Sequence, residues 1–315
     1  MILLVLASIG LPSCTSDGQR LQKYQFSRLR MGTRANLVIH APDPQSATQA
    51  AEAAFARMSV IEDALSDWQL DSEVSRLRSL PAGRANPISP DLDRVLASSI
   101  EISQASDGAF DVTCGQLTQL WRKARQEGVP PEEHSIQEAH STIGWQFIER
   151  LPGDQGPLMI SRRSSPWLDF GGIGKGYAAD EALAVLRDRG LASSLVELGG
   201  DMALGLPPPN EPGWRITAIG IEETLVLSQC GVATSGSTDQ FLVVDGQKWS
   251  HLLDPRTGMA VPDRGSFTVV APDATVADGW ASVAAVVGIE AARDMVHSQQ
   301  GILFLTSTDP MTARP

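Results

Sequence analysis

The chain is short of cysteine, of positive charge and of long apolar runs, and each shortage closes off a class of function. Three cysteines in 315 residues are too few for a disulfide framework. Cys14 belongs to a leader discussed below, so only Cys114 and Cys230 remain, a distant pair that reads as buried free thiols without assigned chemistry. Twenty-five Lys and Arg stand against 37 Asp and Glu, a formal net charge of −12 with a pI near 4.8. Nucleic-acid phosphates need a basic surface and do not find one here. A phosphorylated ligand can still bind, but only where local cations, a metal or backbone N–H groups gather. The apolar run of residues 1–10 is too short to span a bilayer. Internal repeats and low-complexity tracts are also missing. What is there is an ordinary globular balance, 42% hydrophobic and 20% charged, with 28 Gly and 20 Pro. It suits one large domain or two intimately packed halves.

Residues 1–10 (MILLVLASIG) have about the length of a signal-peptide apolar region. They lead into Leu11-Pro12-Ser13-Cys14, which resembles the lipobox of bacterial lipoproteins, a small residue before the cysteine that receives the lipid. We therefore expect a signal peptide over 1–13, a lipidated polar tether over 14–24 starting at Cys14, and a single domain over 25–315. The expected location is outside the cytoplasm, membrane-anchored and facing the periplasm or the cell exterior. An ordinary cleaved signal with an incidental cysteine is the alternative.

Residues 33–40 alternate as an opening strand does. Phe55, Met58, Ile61 and Leu65 recur at helical spacing. A second helix follows Ser89-Pro90 with Leu92, Val95, Leu96 and Ile100 on one face, Pro90 suiting its first turn. A third runs through Leu117, Leu120 and Trp121 and stops at Gly128-Val129-Pro130-Pro131. Beyond Trp145 short strands dominate. Segments 195–198 and 202–204 flank Gly199-Gly200-Asp201 as a hairpin, and 216–219, 225–227 and 241–244 are further strands. Helices interrupt after Gly176 and after Asp273. Strands and helices that do not alternate strictly predict α+β over a doubly wound parallel sheet.

Four segments carry chemistry-bearing residues. In Leu168-Asp169-Phe170-Gly171-Gly172-Ile173-Gly174-Lys175-Gly176 a short strand enters a glycine-rich turn before a helix, where backbone can approach a ligand and the helix N-terminus favours phosphate. It is neither a Walker A loop nor GxGxxG, and a plain strand-to-helix turn would look the same. Asp278 and Ser282 stand four apart on a helix capped by Asp273, within reach of a common ion. A carboxylate with a hydroxyl suits Mg²⁺ or Ca²⁺ and not zinc; an exposed Asp and a packing Ser would read alike. His251 enters the turn Asp254-Pro255-Arg256-Thr257-Gly258, where Asp254 could orient it, although a lone His is more often structural. In Ser106-Asp107-Gly108-Ala109-Phe110-Asp111-Val112-Thr113 the aromatic and carboxylate could contact a heterocycle, while packing by Phe110 and capping by Asp111 is the local reading.

Met31-Gly32-Thr33, Gly108-Ala109-Phe110-Asp111-x-Thr113, the glycine-rich turn, Leu198-Gly199-Gly200-Asp201, Ala233-Thr234-Ser235-Gly236, His251-Leu252-Leu253-Asp254-Pro255-Arg256-Thr257-Gly258 and Ala277-Asp278 resemble, in content and order, the motifs of the FAD:protein FMN transferase (ApbE) family. They span nearly all of the chain after its leader. The resemblance implies an α+β protein of two intimately packed α/β halves, with mostly antiparallel strands and FAD bound between them. It assigns FAD contacts to Met31, Trp68, Ala109, Phe110, Asp111, Asp169, Lys175 and Leu252. Trp68 stands where the family often has tyrosine. Mg²⁺ maps to Asp278, Ser282 and backbone oxygens of Gly172 and Ala281; Ser282 replaces a family threonine, keeping the oxygen and losing the methyl. The implied reaction is Mg²⁺-dependent transfer of FMN from FAD to a Ser or Thr of an acceptor flavoprotein, releasing AMP, with His251 and Asp254 as the candidate base and its partner. Family acceptors include subunits of membrane redox complexes. The alternatives are a metal-dependent FAD pyrophosphatase giving FMN and AMP, and an FAD-binding lipoprotein without turnover.

Overall fold

A computed structural model describes residues 20–163, 166–217, 224–236, 241–244, 247–262, 264–296 and 303–306. The leader and Cys14 lie outside the described residues. The chain opens with β1 (Gln22–Arg30), β2 (Thr33–Ala41), α1 (Pro44–Leu65), α2 (Glu73–Leu77), β3 (Ala85–Pro87) and α3 (Pro90–Ala105). It continues through α4 (Gly115–Glu127), α5 (Glu133–His140), β4 (Ile148–Leu151), β5 (Leu158–Ser161), α6 (Gly174–Asp188), β6 (Ser194–Leu198) and β7 (Asp201–Leu204). The last third holds β8 (Trp214–Ile216), β9 (Leu225–Leu227), β10 (Cys230–Gly236), β11 (Phe241–Val244), β12 (Gln247–Asp254), β13 (Met259–Pro262), β14 (Ser266–Ala271), α7 (Ala274–Val287), α8 (Ile289–Met295) and β15 (Leu303–Thr306).

Seven strands form one sheet in the order β1-β2-β6-β7-β10-β14-β15. Every strand pair among the described residues is antiparallel. Successive residues of a strand face opposite ways, and the sheet uses both faces. Leu37, Ile39, Val196, Ala203, Ala233 and Val269 join the main core beneath α1, α6 and α7, with Phe55, Met58, Ala182 and Trp280. Val38, Leu195, Val232 and Val270 on the other face meet Trp214, Ile216, Leu225 and Leu227 of the β8–β9 hairpin. Each such large apolar side chain contributes roughly 1.5–3 kcal/mol on full burial. The α+β expectation is met.

The helices start where local chemistry satisfies their free N–H groups. Asp43 Oδ1 accepts the Ser46 N–H at 2.8 Å, Ser89 Oγ the Leu92 N–H at 3.1 Å, and Asp273 Oδ1 the Val276 N–H at 2.8 Å. Helix α4 ends on Gly128 in the left-handed region, φ 70°. Two expectations need correction. Strand β1 begins at Gln22, inside the stretch expected as tether, and places Tyr24 and Phe26 against the core. The strand expected over 216–219 is Trp214–Ile216, with 218–219 outside the described residues.

A second, smaller core is made by Leu117, Trp121 and Ala124 of α4, Ile136 and Ala139 of α5, and Leu242 and Ala260 of the β11-β12-β13 sheet. Strand β12 lies between the two cores. Its Leu252 packs on the main one, while Trp249 and Leu253 pack on the smaller. Helix α7 packs against β12, which brings the strand of His251 and Leu252 beside the helix of Asp278 and Ser282.

Candidate functional site

The glycine-rich turn is tied down before it reaches α6. The Asp169 N–H donates to Val112 O at 2.7 Å, Asp169 Oδ1 accepts the Gly171 N–H at 2.8 Å, and Phe170 O accepts the Gly174 N–H at 2.7 Å. The first turns of α6 and α7 then press together. A Cβ on Gly176 would fall well inside contact with the Ala274 carbonyl and 2.9 Å from Asp278 Cβ, so only glycine permits the approach. Asp180 of α6 caps α7 as well, accepting the N–H groups of Ala274 and Thr275 at 2.9 and 2.8 Å and the Thr275 hydroxyl at 2.6 Å.

Charge collects at this junction. Asp278 Oδ2 accepts the Gly176 N–H at 3.0 Å, and its Oδ1 lies 3.8 Å from Lys175 Nζ. Lys175 donates directly to Asp201 Oδ2. Asp201 opens β7 after Gly199 and Gly200, whose φ values of +62° and +99° form the two-residue hairpin turn. Asp278 and Asp201 are 4% and 1% exposed. Burial pushes the Asp278 carboxyl up from its ordinary value, with Lys175 opposing. Burial works against the Lys175 charge too, but Asp278 and Asp201 outweigh it and hold the ammonium protonated.

Oxygen donors adjoin the carboxylates. Ser282, 7% exposed, donates to the Gly172 carbonyl at 3.2 Å. Two oxygens on one edge of an octahedral Mg²⁺ site sit about 2.9 Å apart, so this pair, with Asp278 one helical turn away, fits a hard divalent cation. Ala281 is fully buried in the same helix. Among the described residues no group of three His, Cys, Asp or Glu gathers that could hold a metal ion, so a cation here would rest on one carboxylate with hydroxyl and carbonyl oxygens.

The cradle beside these donors is apolar and aromatic. A Cβ on Gly172 would lie 3.2 Å from Phe110 Cε2, and one on Gly174 would lie 3.7 Å from Met31 Cε. Met31 itself has φ 50° in the β1–β2 turn. Trp68 is 65% exposed, with the Arg122 guanidinium 3.6 Å over its ring. Arg122 also donates to Asp67 at 2.8 Å. Burial, then the nearby Asp169, raise the Asp67 carboxyl, and Arg122 pulls it back.

The chain matches the model of the ApbE family over residues 31–305. It belongs to that family. It is similar to the FAD:protein FMN transferase of Klebsiella pneumoniae, 28% identical over 85% of this chain and 80% of the relative. Among solved structures, the flavinyl transferase ApbE of Pseudomonas stutzeri in its apo form superposes with a TM-score of 0.79 at 26% identity, covering 91% of this chain and 95% of that one. The ApbE protein of Thermotoga maritima gives 0.77 at 27% identity, covering 90% and 94%.

Among the residues that the ApbE resemblance singled out, Met31, Phe110, Gly172, Lys175, Asp278 and Ser282 surround one spot at the α6–α7 junction. Asp169 shapes the turn itself and neighbours Asp67, the residue before Trp68. Ala109 is buried in the main core and Leu252 packs against it. Asp111 acts as the local reading proposes. Its carboxylate accepts the Thr113 N–H at 2.8 Å, the Thr113 hydroxyl at 2.7 Å and the Trp145 N–H at 2.9 Å, so it braces its own loop. Asp254 has a partner within its own turn. Asp254 accepts Arg256 Nε and Nη2 at 2.9 and 2.8 Å and the Arg256 N–H at 3.0 Å, because the tight turn folds that guanidinium back onto it. Sequence reading missed Asp201, Asp67 and Arg122. For Asp201 the signal was present in Leu198-Gly199-Gly200-Asp201, which was read as a hairpin and as one of the ApbE-like motifs but given no role at the site. Cys114 and Cys230 are free thiols, both raised by burial.

Proposed function

We propose that this chain is an FAD:protein FMN transferase, moving FMN from FAD to a Ser or Thr hydroxyl of an acceptor flavoprotein and releasing AMP. One observation carries the reading. At the junction of two helix N-termini the protein gathers a partly buried ammonium, two buried carboxylates and a hydroxyl–carbonyl pair, next to Phe110 and Met31. That is how a protein of net charge −12 holds a dinucleotide diphosphate.

In the proposed reaction the acceptor hydroxyl oxygen attacks the phosphorus on the FMN side. A new P–O bond forms, the bond to the AMP oxygen breaks, and AMP carries away that electron pair. The hydroxyl proton goes to His251 as general base. Lys175 lies where it can face the diphosphate, and Phe110, Met31 and Trp68 offer surface to the flavin ring. Mg²⁺, held by Asp278, Ser282 and the backbone oxygens of Gly172 and Ala281, would supply neutralisation of the charge that develops in phosphoryl transfer.

The test is AMP release from FAD, with and without Mg²⁺ and with and without an exported flavoprotein acceptor. The reading expects AMP release that needs both. Equal release of AMP and free FMN without acceptor would instead describe a pyrophosphatase, and no release under any condition a binding protein.

The proposal extends to location. The apolar run of residues 1–10 followed by Cys14 supports export and a lipid anchor, which would bring the enzyme to acceptors in membrane redox complexes. Metabolic lipid labelling should mark the wild type and not Cys14→Ala. An unlabelled wild type contradicts the anchor.

A further inference from the structure

We infer that Asp201 is a positioning residue that holds the Lys175 ammonium away from Asp278 and thereby keeps that carboxylate open to a divalent cation. The inference rests on the metal reading of Asp278, Ser282 and Gly172 given above. Its basis is an asymmetry. Lys175 is bonded directly to Asp201 Oδ2, yet stands 3.8 Å from Asp278 Oδ1, beyond hydrogen-bond range. All three groups are held by rigid elements: Lys175 by the first turn of α6, Asp278 by α7, and Asp201 by the start of β7 next to the Gly199-Gly200 turn. Asp278 is 4% exposed and Asp201 1%, so neither carboxylate has water as an easy alternative partner.

The arrangement sets up a competition. An ammonium and a metal ion both seek the Asp278 oxygens, and Asp201 decides where the ammonium rests. Replacing Asp201 by a neutral isostere leaves Asp278 as the strongest anion within reach of Lys175. Closing from 3.8 Å to hydrogen-bond distance at an effective dielectric constant of about 20 strengthens that pair by about tenfold, and an incoming cation must displace it. Asp201 therefore supports metal binding without touching the metal.

Mn²⁺ binding to the full chain, counted by electron paramagnetic resonance of the free ion with Mg²⁺ as competitor, tests this in the wild type, Asp201→Asn, Lys175→Met and the double variant. Asp201→Asn should weaken Mn²⁺ affinity about tenfold, Lys175→Met should tighten it, and Asp201→Asn in the Lys175→Met background should change it less than about twofold. Asp201→Glu, which keeps the charge, should recover most of the loss. An equal loss from Asp201→Asn in both backgrounds overturns the inference, because Asp201 would then act on the metal directly. So does a Lys175→Met variant with weaker affinity, which decides the matter even if Asp201→Asn fails to fold. A wild type that binds no Mn²⁺, or an Asp278→Ala variant that binds it equally well, removes the metal reading and the inference with it.

Discussion

At Gly176 the two helices that build the site leave no space for a side chain. Its Cβ would strike the Ala274 carbonyl, a backbone atom that cannot swing aside, and sit 2.9 Å from Asp278 Cβ. Gly176→Ala should therefore force α6 and α7 apart at a cost of about 1–3 kcal/mol, read as a lower denaturation midpoint. Because the Gly176 N–H also holds Asp278, the variant should lose metal affinity beyond what its stability loss explains. His251 and Asp254 can be tested in the same kind of experiment. His251→Ala should slow transfer by about 10²- to 10⁴-fold with FAD affinity nearly unchanged. Asp254→Asn should loosen the turn it makes with Arg256 and lower stability. If His251→Ala transfers at the wild-type rate, the base lies elsewhere.

Among the elements, α1, α3 and α6 are joined by a charged network away from the site. Arg57 donates to Asp91 Oδ2 at 2.6 Å and to Glu181 at 3.1 Å, and Tyr177 donates to Asp91 Oδ1 at 2.6 Å. Tyr177 stands two residues after Lys175, so the network fixes the rotation of the helix that carries the ammonium. Burial alone would raise the Asp91 carboxyl, but its bonds from Arg57, Tyr177 and Arg94 hold it below the ordinary aspartate value of 3.8. A depressed carboxylate lends stability above its unfolded-state value and loses that contribution as pH falls through its folded-state value. Asp91→Asn should accordingly cost about 3 kcal/mol near neutral pH, with the gap to wild type narrowing below about pH 4. Denaturant titrations of both proteins across that range measure it. A gap that stays constant into acid would mean that the network does not draw on the Asp91 charge. The elements themselves were legible where their apolar spacing was regular, as in α1 and α3, or where a cap announced them, as Asp273 does for α7. Strand β1 was not, because only Tyr24 and Phe26 of its nine residues rest on the core, while Leu29 is exposed and the others are polar. Its existence depends on pairing with β2.

Over the whole molecule, the antiparallel sheet and its helices place residues from five separate segments around one junction, and that is the part of the site that spacing along the chain cannot show. Asp278 and Ser282 were legible as a pair because one helix turn relates them. Asp201 was legible only as the end of a motif; its meeting with Lys175 was not, because the position of β7 beside α6 sets it. The bond from Arg256 to Asp254 was not legible either, because it depends on how the tight turn folds that guanidinium back. The global arrangement also separates affinity from chemistry. Asp278→Ala should abolish turnover far more completely than it weakens FAD binding, since the aromatic cradle is built by other elements; parallel flavin-binding and AMP-release assays compare the two losses. The most direct measurement of the central claim is in-gel flavin fluorescence of a denatured acceptor after incubation with the protein, FAD and Mg²⁺, with mass spectrometry of the labelled peptide. The account predicts an FMN phosphoester on a Ser or Thr of the acceptor, absent with Asp278→Ala and in EDTA. Free FMN as the only flavin product, with no label on any of several exported flavoproteins, would contradict it.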